Sequence, residues 1–125
     1  MVIEKRMLNW HKLWKYWIPV SAYMALIFYL SSKPMPEEIL PEIWNVDKVA
    51  HLIEYGVLGF LWSRALKSKQ EMPKAALIAF VITFLYAVSD EIHQYFVPNR
   101  DASVYDVIAD GLGGWLGIWV YRRWF

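Results

Sequence analysis

Four apolar stretches dominate this chain of 125 residues and strongly favour a helical fold. They cover about 16–31, 48–66, 75–94 and 104–121, and their polar residues recur at helical spacing rather than at every second position. Each stretch is close to the roughly 17–25 residues that cross a bilayer. Charged residues make up 20% of the chain, below the roughly 25% that is usual in soluble domains. We therefore predict an all-α, polytopic membrane protein, a bundle of four transmembrane helices in a single domain over residues 1–125.

If the four stretches cross a bilayer in turn, the lysines and arginines are distributed unequally between its two sides. Of the thirteen basic residues, all but Lys33, Lys48 and Arg100 fall before the first stretch, between Arg64 near the end of the second stretch and the start of the third, or after the fourth. Cytoplasmic loops carry the excess of lysine and arginine in membrane proteins. We therefore predict a multi-pass protein with both termini in the cytoplasm. A soluble helical bundle is the alternative fold, but it would not explain the asymmetry.

Acidic, imidazole and amide side chains gather at the outer ends of the last three stretches. Charge beside hydrocarbon is unfavourable, so such residues are expected to face one another and to form a functional site. Lys48 is interpreted separately, as a side chain that extends to lipid phosphates. The pattern Gly113-x-x-x-Gly117 would let the fourth helix approach a neighbour closely. The predicted binding site consists of Asp47, His51, Glu54, Tyr55, Asp90, Glu91, His93, Gln94, Arg100, Asp106 and Asp110.

The charges of these residues suggest different roles for them within the site. Arg100 is expected to pair with Glu91 or Asp106, which would hold the loop before the fourth helix over the pocket. His51 and Glu54 are then expected to meet the ligand. The pocket as a whole is expected to open away from the cytoplasm.

Some of these residues also have a purely structural explanation. Asp47 stands at a helix start and could act as an N-cap, and Ser103-x-x-Asp106 matches the capping-box pattern. His51 and His93 could be interface histidines that are each satisfied by one hydrogen bond. Asp110 lies a full turn deeper than a cap can reach, so capping does not explain it.

The order and spacing of these residues resemble the VanZ-like family of bacterial membrane proteins, over about residues 20–121. The resemblance rests on two motifs, Asp47-Lys48-x-x-His51-x-x-Glu54-Tyr55-x-x-Leu58-Gly59 and Asp90-Glu91-x-His93-Gln94-x-Phe96-x-Pro98-x-Arg100-x-x-Ser103-x-x-Asp106-x-x-x-Asp110-x-x-Gly113. Many family members carry asparagine where this chain has Asp110. The resemblance implies a small polytopic protein of the bacterial cytoplasmic membrane, with a role in the cell envelope and in low-level resistance to the glycopeptide teicoplanin.

Three functions follow as hypotheses, and whether the protein is an enzyme stays open. An acidic pocket at the outer leaflet, among membrane lipids, could bind an amphiphilic glycopeptide or a lipid-linked envelope precursor. An intramembrane enzyme could act on a lipid phosphate or ester, with metal dependence as one version. No established metallohydrolase motif is present, so no metal and no other cofactor is assigned. A small transporter or proton-coupled protein is the third hypothesis.

Composition excludes two other classes of function. The net charge of +1 provides no basic field that would attract nucleic acid. The absence of cysteine removes disulfides, thiolate catalysis and cysteine-based metal sites.

Overall fold

The fold is helical throughout the part of the chain that the computed structural model describes. That part comprises residues 10–33, 44–98, 100 and 102–125, without the side chains of 44–47. No strand occurs in these ranges. The predicted all-α class is therefore confirmed.

Four helices form the bundle, and they overlap the four apolar stretches. Their bounds are Ile18–Ser31 for α1, Trp44–Lys67 for α2, Lys74–Tyr95 for α3 and Val104–Trp124 for α4. A short helix and a π-helical turn precede α1, at Trp10–Lys12 and Leu13–Trp17. Among the described helices, α2 packs against each of the other three and most extensively against α4.

One end of the bundle brings together the end of α1, the start of α2, the end of α3 and the start of α4. Ser31 Oγ lies 3.3 Å from His93 Nδ1, which joins α1 to α3. Lys48 and Asp106 form an ion pair that joins α2 to α4. Neighbouring helices therefore alternate in direction, and we call this end of the bundle the polar end.

The opposite end is basic and aromatic. Arg64, near the end of α2, donates a hydrogen bond to the backbone carbonyl of Lys15 before α1. Trp17 and Trp62 pack edge to face there, with ring centroids 6.2 Å apart. The two ends thus differ in charge, as predicted from the unequal distribution of lysine and arginine along the sequence.

Glycines bring the backbones of α2 and α4 into direct contact. A Cβ atom built on Gly117 would overlap the backbone carbonyl of Gly56, and one on Gly113 would overlap the backbone of Leu52. Small residues allow helices to approach in this way. The neighbour that the glycine pattern predicted for the fourth helix is therefore α2.

Many large apolar side chains lie on the surface of the bundle, while several carboxylates lie in its core. Leu77, Leu85 and Ile92 on α3 are 66%, 61% and 59% exposed, whereas Asp106 and Asp110 on α4 are fully buried. Soluble monomers rarely expose extended apolar surface. This arrangement fits a protein whose outer surface is covered by an apolar medium.

By length and composition, one helix in the described ranges could cross a membrane. This helix is α3, whose most apolar window has a mean hydropathy of 1.8. The other three helices do not meet the same criteria. The helix α1 has 14 residues, and α2 and α4 carry charged residues near both of their ends. The four-span bundle is therefore not confirmed, and it remains a prediction.

Candidate functional site

A group of polar side chains fills the core at the polar end, between α2, α3 and α4. Tyr55, Asp106 and Asp110 are fully buried, and His51, Asp90 and Glu91 are at most 7% exposed. On α2 and α4 the members stand three, four or seven residues apart, which keeps them on one face of each helix, whereas Asp90 and Glu91 are sequence neighbours on α3. We call this group the polar cluster, and its members are Lys48, His51, Tyr55, Asp90, Glu91, Asp106 and Asp110.

Two contacts between α2 and α4 form the centre of the polar cluster. The Lys48 Nζ atom pairs with Asp106 Oδ1. One turn deeper, His51 Nδ1 lies 2.8 Å from Asp110 Oδ1, within hydrogen-bonding distance. Burial strengthens both contacts because the low dielectric of the interior weakens them less than water would.

The helix α3 supplies two further carboxylates. The hydroxyl of Tyr55 donates to Asp90 Oδ2 over 3.0 Å. The backbone N–H of Ser103, the N-cap of α4, donates to Glu91 Oε2 over 3.0 Å. The side chain of Ser103 accepts from the N–H of Tyr105, so the predicted capping role of Ser103 is confirmed.

Three buried carboxylate oxygens have no hydrogen-bond partner among the described residues. They are Glu91 Oε1, Asp106 Oδ2 and Asp110 Oδ2. Ligand atoms from His51, Glu91 and Asp110 also lie within 4.8 Å of one another. These three residues are therefore the ones that could hold a metal ion.

The polar cluster is closed, whereas an outward-open pocket was expected. His51 is 5% exposed and is bonded to Asp110, so it does not face an opening as predicted. Glu54 is half-buried, and its backbone carbonyl accepts a hydrogen bond from Tyr23 on α1 over 2.8 Å. Gln94 is buried at the end of α3.

His93 lies apart from the polar cluster, and the side chain of Asp47 is not among those that the structure describes. The ring of His93 stacks on Phe28 of α1, with centroids 4.6 Å apart, and lies near the hydroxyls of Ser31 and Ser32. Asp47 is in the first turn of α2, and its side chain lies outside the described residues.

Arg100 binds the end of α1, so the predicted pairing with Glu91 or Asp106 is wrong. Its Nη2 donates to the carbonyl of Leu30 over 2.7 Å, and its Nε donates to that of Lys33 over 2.8 Å. The last carbonyls of a helix lack partners within the helix and form the negative end of its dipole. They therefore offer Arg100 two acceptors beside the end of α1.

Lys48 is the member of the polar cluster that the predicted site omitted. It contacts Asp106 rather than extending to lipid phosphates. A signal was present in the sequence, because Lys48 and His51 are one turn apart, as are Asp106 and Asp110. Two parallel helices with such matching spacing can form successive contacts, and α2 and α4 are parallel because both begin at the polar end.

A mostly apolar groove of about 420 Å³ runs along the surface between α3 and α4, beside the polar cluster. Among the described residues of its lining, Glu91 alone is charged, and it connects the groove to the cluster. The lining residues are Val88, Glu91, Ile92, Tyr95, Phe96, Ala102, Ser103, Val104 and Val107. The groove gives the otherwise closed cluster a side that a ligand could reach.

These features define a class of small helical proteins with an apolar exterior and a closed acidic cluster at one end. The chain belongs to the VanZ/LLP1 family, which it matches over residues 2–125. The resemblance that the motifs indicated is therefore confirmed, and family membership fits a protein linked to glycopeptide resistance. No curated protein and no solved structure matches the chain.

Proposed function

We propose that this chain is a multi-pass protein of the bacterial cytoplasmic membrane that lowers the susceptibility of the cell envelope to teicoplanin-type glycopeptides. In this proposal α2 to α4 each cross the membrane, α1 crosses it together with the helical segment from Trp10 that directly precedes it, and the polar end faces away from the cytoplasm. The main support is the arrangement of exposed apolar side chains around buried carboxylates. Helices whose charges face one another can be inserted without placing those charges in lipid.

This arrangement also explains why α2 and α4 have low hydropathy. Asp106 and Asp110 are fully buried between helices, so they lower the hydropathy of α4 without contacting its surroundings. The charges near the ends of both helices, such as Lys67 and Arg123, lie where a membrane surface would be. The mean hydropathy of a helix averages all of its residues, including those that face other helices rather than the surroundings of the bundle.

Single cysteines at the two ends of the bundle should react from opposite sides of the membrane. The chain contains no cysteine, and Lys33 and Lys69 are both exposed. We expect Lys33→Cys to react with a membrane-impermeant maleimide in intact cells, and Lys69→Cys to react only after lysis. Labelling yields on gels provide the measurement. Equal labelling of both variants in intact cells would contradict the proposed topology.

The groove beside Glu91 suits an amphiphile that has an apolar tail and a cationic group. Its volume of about 420 Å³ lies within the range of ligand sites, which is about 300–1,000 Å³. Apolar side chains would contact the tail, and the net negative charge of the polar cluster, which reaches the groove at Glu91, would attract the cationic group. Teicoplanin combines an acyl chain with a cationic peptide, so the groove offers a reason for its recognition.

Expression of the chain in a susceptible host is expected to raise the inhibitory concentration of teicoplanin several-fold. A glycopeptide without an acyl chain should show a smaller change, because it has no tail for the groove. Val107→Trp should abolish the effect by filling the groove, whereas Val81→Trp, on the exposed surface of α3 outside it, should not. Membrane levels of each variant are compared by immunoblot. Unchanged susceptibility in cells that contain the wild-type chain would exclude this function.

A further inference from the structure

The polar cluster contains more negative charge than the described contacts compensate. Asp90, Glu91, Asp106 and Asp110 are at most 7% exposed. The cations in contact with them are Lys48 and, when it is protonated, His51. A buried charge is strongly unfavourable unless a partner compensates it. The cluster therefore requires additional positive charge, either as protons or as a bound cation.

The geometry at the centre of the cluster favours a metal ion. A ring nitrogen of His51, an oxygen of Glu91 and an oxygen of Asp110 all lie within 4.8 Å of one another. Ligands at metal distances of about 2.0–2.2 Å lie about 3–4 Å apart around one ion, so a small inward movement would suffice. Each residue comes from a different helix, so the three ligands meet only when the bundle is folded.

The hydrogen bonds around these residues leave suitable oxygens available. Ser103 holds Glu91 through Oε2, whereas Glu91 Oε1 has no partner in the described part of the chain. Asp110 contacts His51 through Oδ1, whereas its Oδ2 is buried and likewise has no partner there. Hydrogen bonds of this kind orient metal ligands in known sites.

We infer that His51, Glu91 and Asp110 bind one divalent transition-metal ion. Imidazole with two carboxylates suits zinc or manganese, since neither requires a sulfur ligand. Asp106 Oδ2, one turn before Asp110, is a further buried oxygen without a described partner that would favour a cation here. Glu91 also lines the groove between α3 and α4, which gives the ion a route from the surface.

Metal content of the purified full-length chain in lipid nanodiscs tests this inference. The protein, prepared without a histidine tag, is treated with chelator, reloaded with Zn²⁺ or Mn²⁺, dialysed and measured by mass spectrometry of the elements. We expect about one ion per chain in a site of this kind. Absence of a retained ion, with no shift of the melting temperature on metal addition, would show that protons compensate the charge and would overturn the inference.

Matched variants distinguish the loss of a metal ligand from the loss of negative charge in general. His51→Gln, Glu91→Gln and Asp110→Asn should each weaken binding by roughly tenfold or more, by comparison with changes around known sites. His93→Gln, which alters a histidine stacked on Phe28, should retain the ion. Asp90→Asn removes an equal charge from the cluster and should also retain it. Loss of the ion in Asp90→Asn to the same degree would contradict the ligand assignment.

A spectroscopic measurement covers the case in which the ligand variants do not fold. Wild-type protein labelled with ¹⁵N-histidine and loaded with Mn²⁺ should show coupling to a single imidazole nitrogen by pulsed electron paramagnetic resonance. Absence of imidazole coupling would overturn the assignment of His51. Metal binding is measured independently of antibiotic susceptibility, so the two proposals can fail separately.

Discussion

Replacing Lys48 by methionine is expected to destabilise the folded protein by about 3–5 kcal/mol, the usual effect of breaking a buried ion pair. Asp106 is fully buried, and Lys48 is its ion-pair partner in the described structure. Without that partner the carboxylate must stay charged in a dry core or take up a proton, and both are unfavourable. Such a loss is a large part of a total stability of about 5–15 kcal/mol. Denaturant titration in detergent, followed by helical circular dichroism, measures it.

Two further variants show whether the effect comes from this pair. Lys69→Met changes an exposed lysine and should alter the stability by less than about 0.5 kcal/mol. The double variant Lys48→Met with Asp106→Leu should recover most of the loss, because an apolar pair leaves no buried charge. If Lys48→Met unfolds no more easily than Lys69→Met, the pair does not stabilise the bundle.

Gly117→Ala is expected to destabilise the bundle by about 1–3 kcal/mol or more, as overpacking does in well-packed cores. The added methyl group would overlap the backbone carbonyl of Gly56, which belongs to the opposite helix. A side chain could rotate away, but a helix backbone must move as a unit. The helices α2 and α4 would separate, and the contacts of the polar cluster would lengthen with them. The same denaturant titration measures the loss.

Gly111→Ala is the matched control because it adds the same methyl group to the same helix. Its Cβ would lie 3.7 Å from Phe84 Cδ2, an ordinary van der Waals distance. Alanine is favoured over glycine in helices by up to about 1 kcal/mol, so this variant should be neutral or more stable. Equal destabilisation by both substitutions would mean that the close contact of α2 and α4 is not responsible.

The helices could be predicted from the sequence because their signals are local. Apolar periodicity located each helix, and Ser103 marked the start of α4 as its N-cap. Pro73 likewise stands directly before α3. Alternation of chain direction then placed the polar residues of the last three stretches towards one end, where Lys48 and Asp106 do meet.

The pairings within the polar end could not be predicted in the same way. Arg100 was expected to bind a carboxylate, but it binds the carbonyls of Leu30 and Lys33 at the end of α1. Lys48 was expected to extend to lipid, but it contacts Asp106. Both outcomes depend on which groups the folded bundle brings within reach of each side chain, and that is a property of the tertiary structure.

The sequence by itself determined an all-helical chain of the VanZ/LLP1 family whose last three helices carry acidic and imidazole groups towards one end. Only the tertiary structure decided that the polar cluster is closed, that His51, Glu91 and Asp110 meet, and that a groove reaches Glu91. The reason is geometric. Periodicity shows which face of a helix is polar. The partner of each side chain, however, depends on how each helix is rotated about its axis and shifted along it. Those are set by long-range packing, here the backbone contact of Gly117 with Gly56.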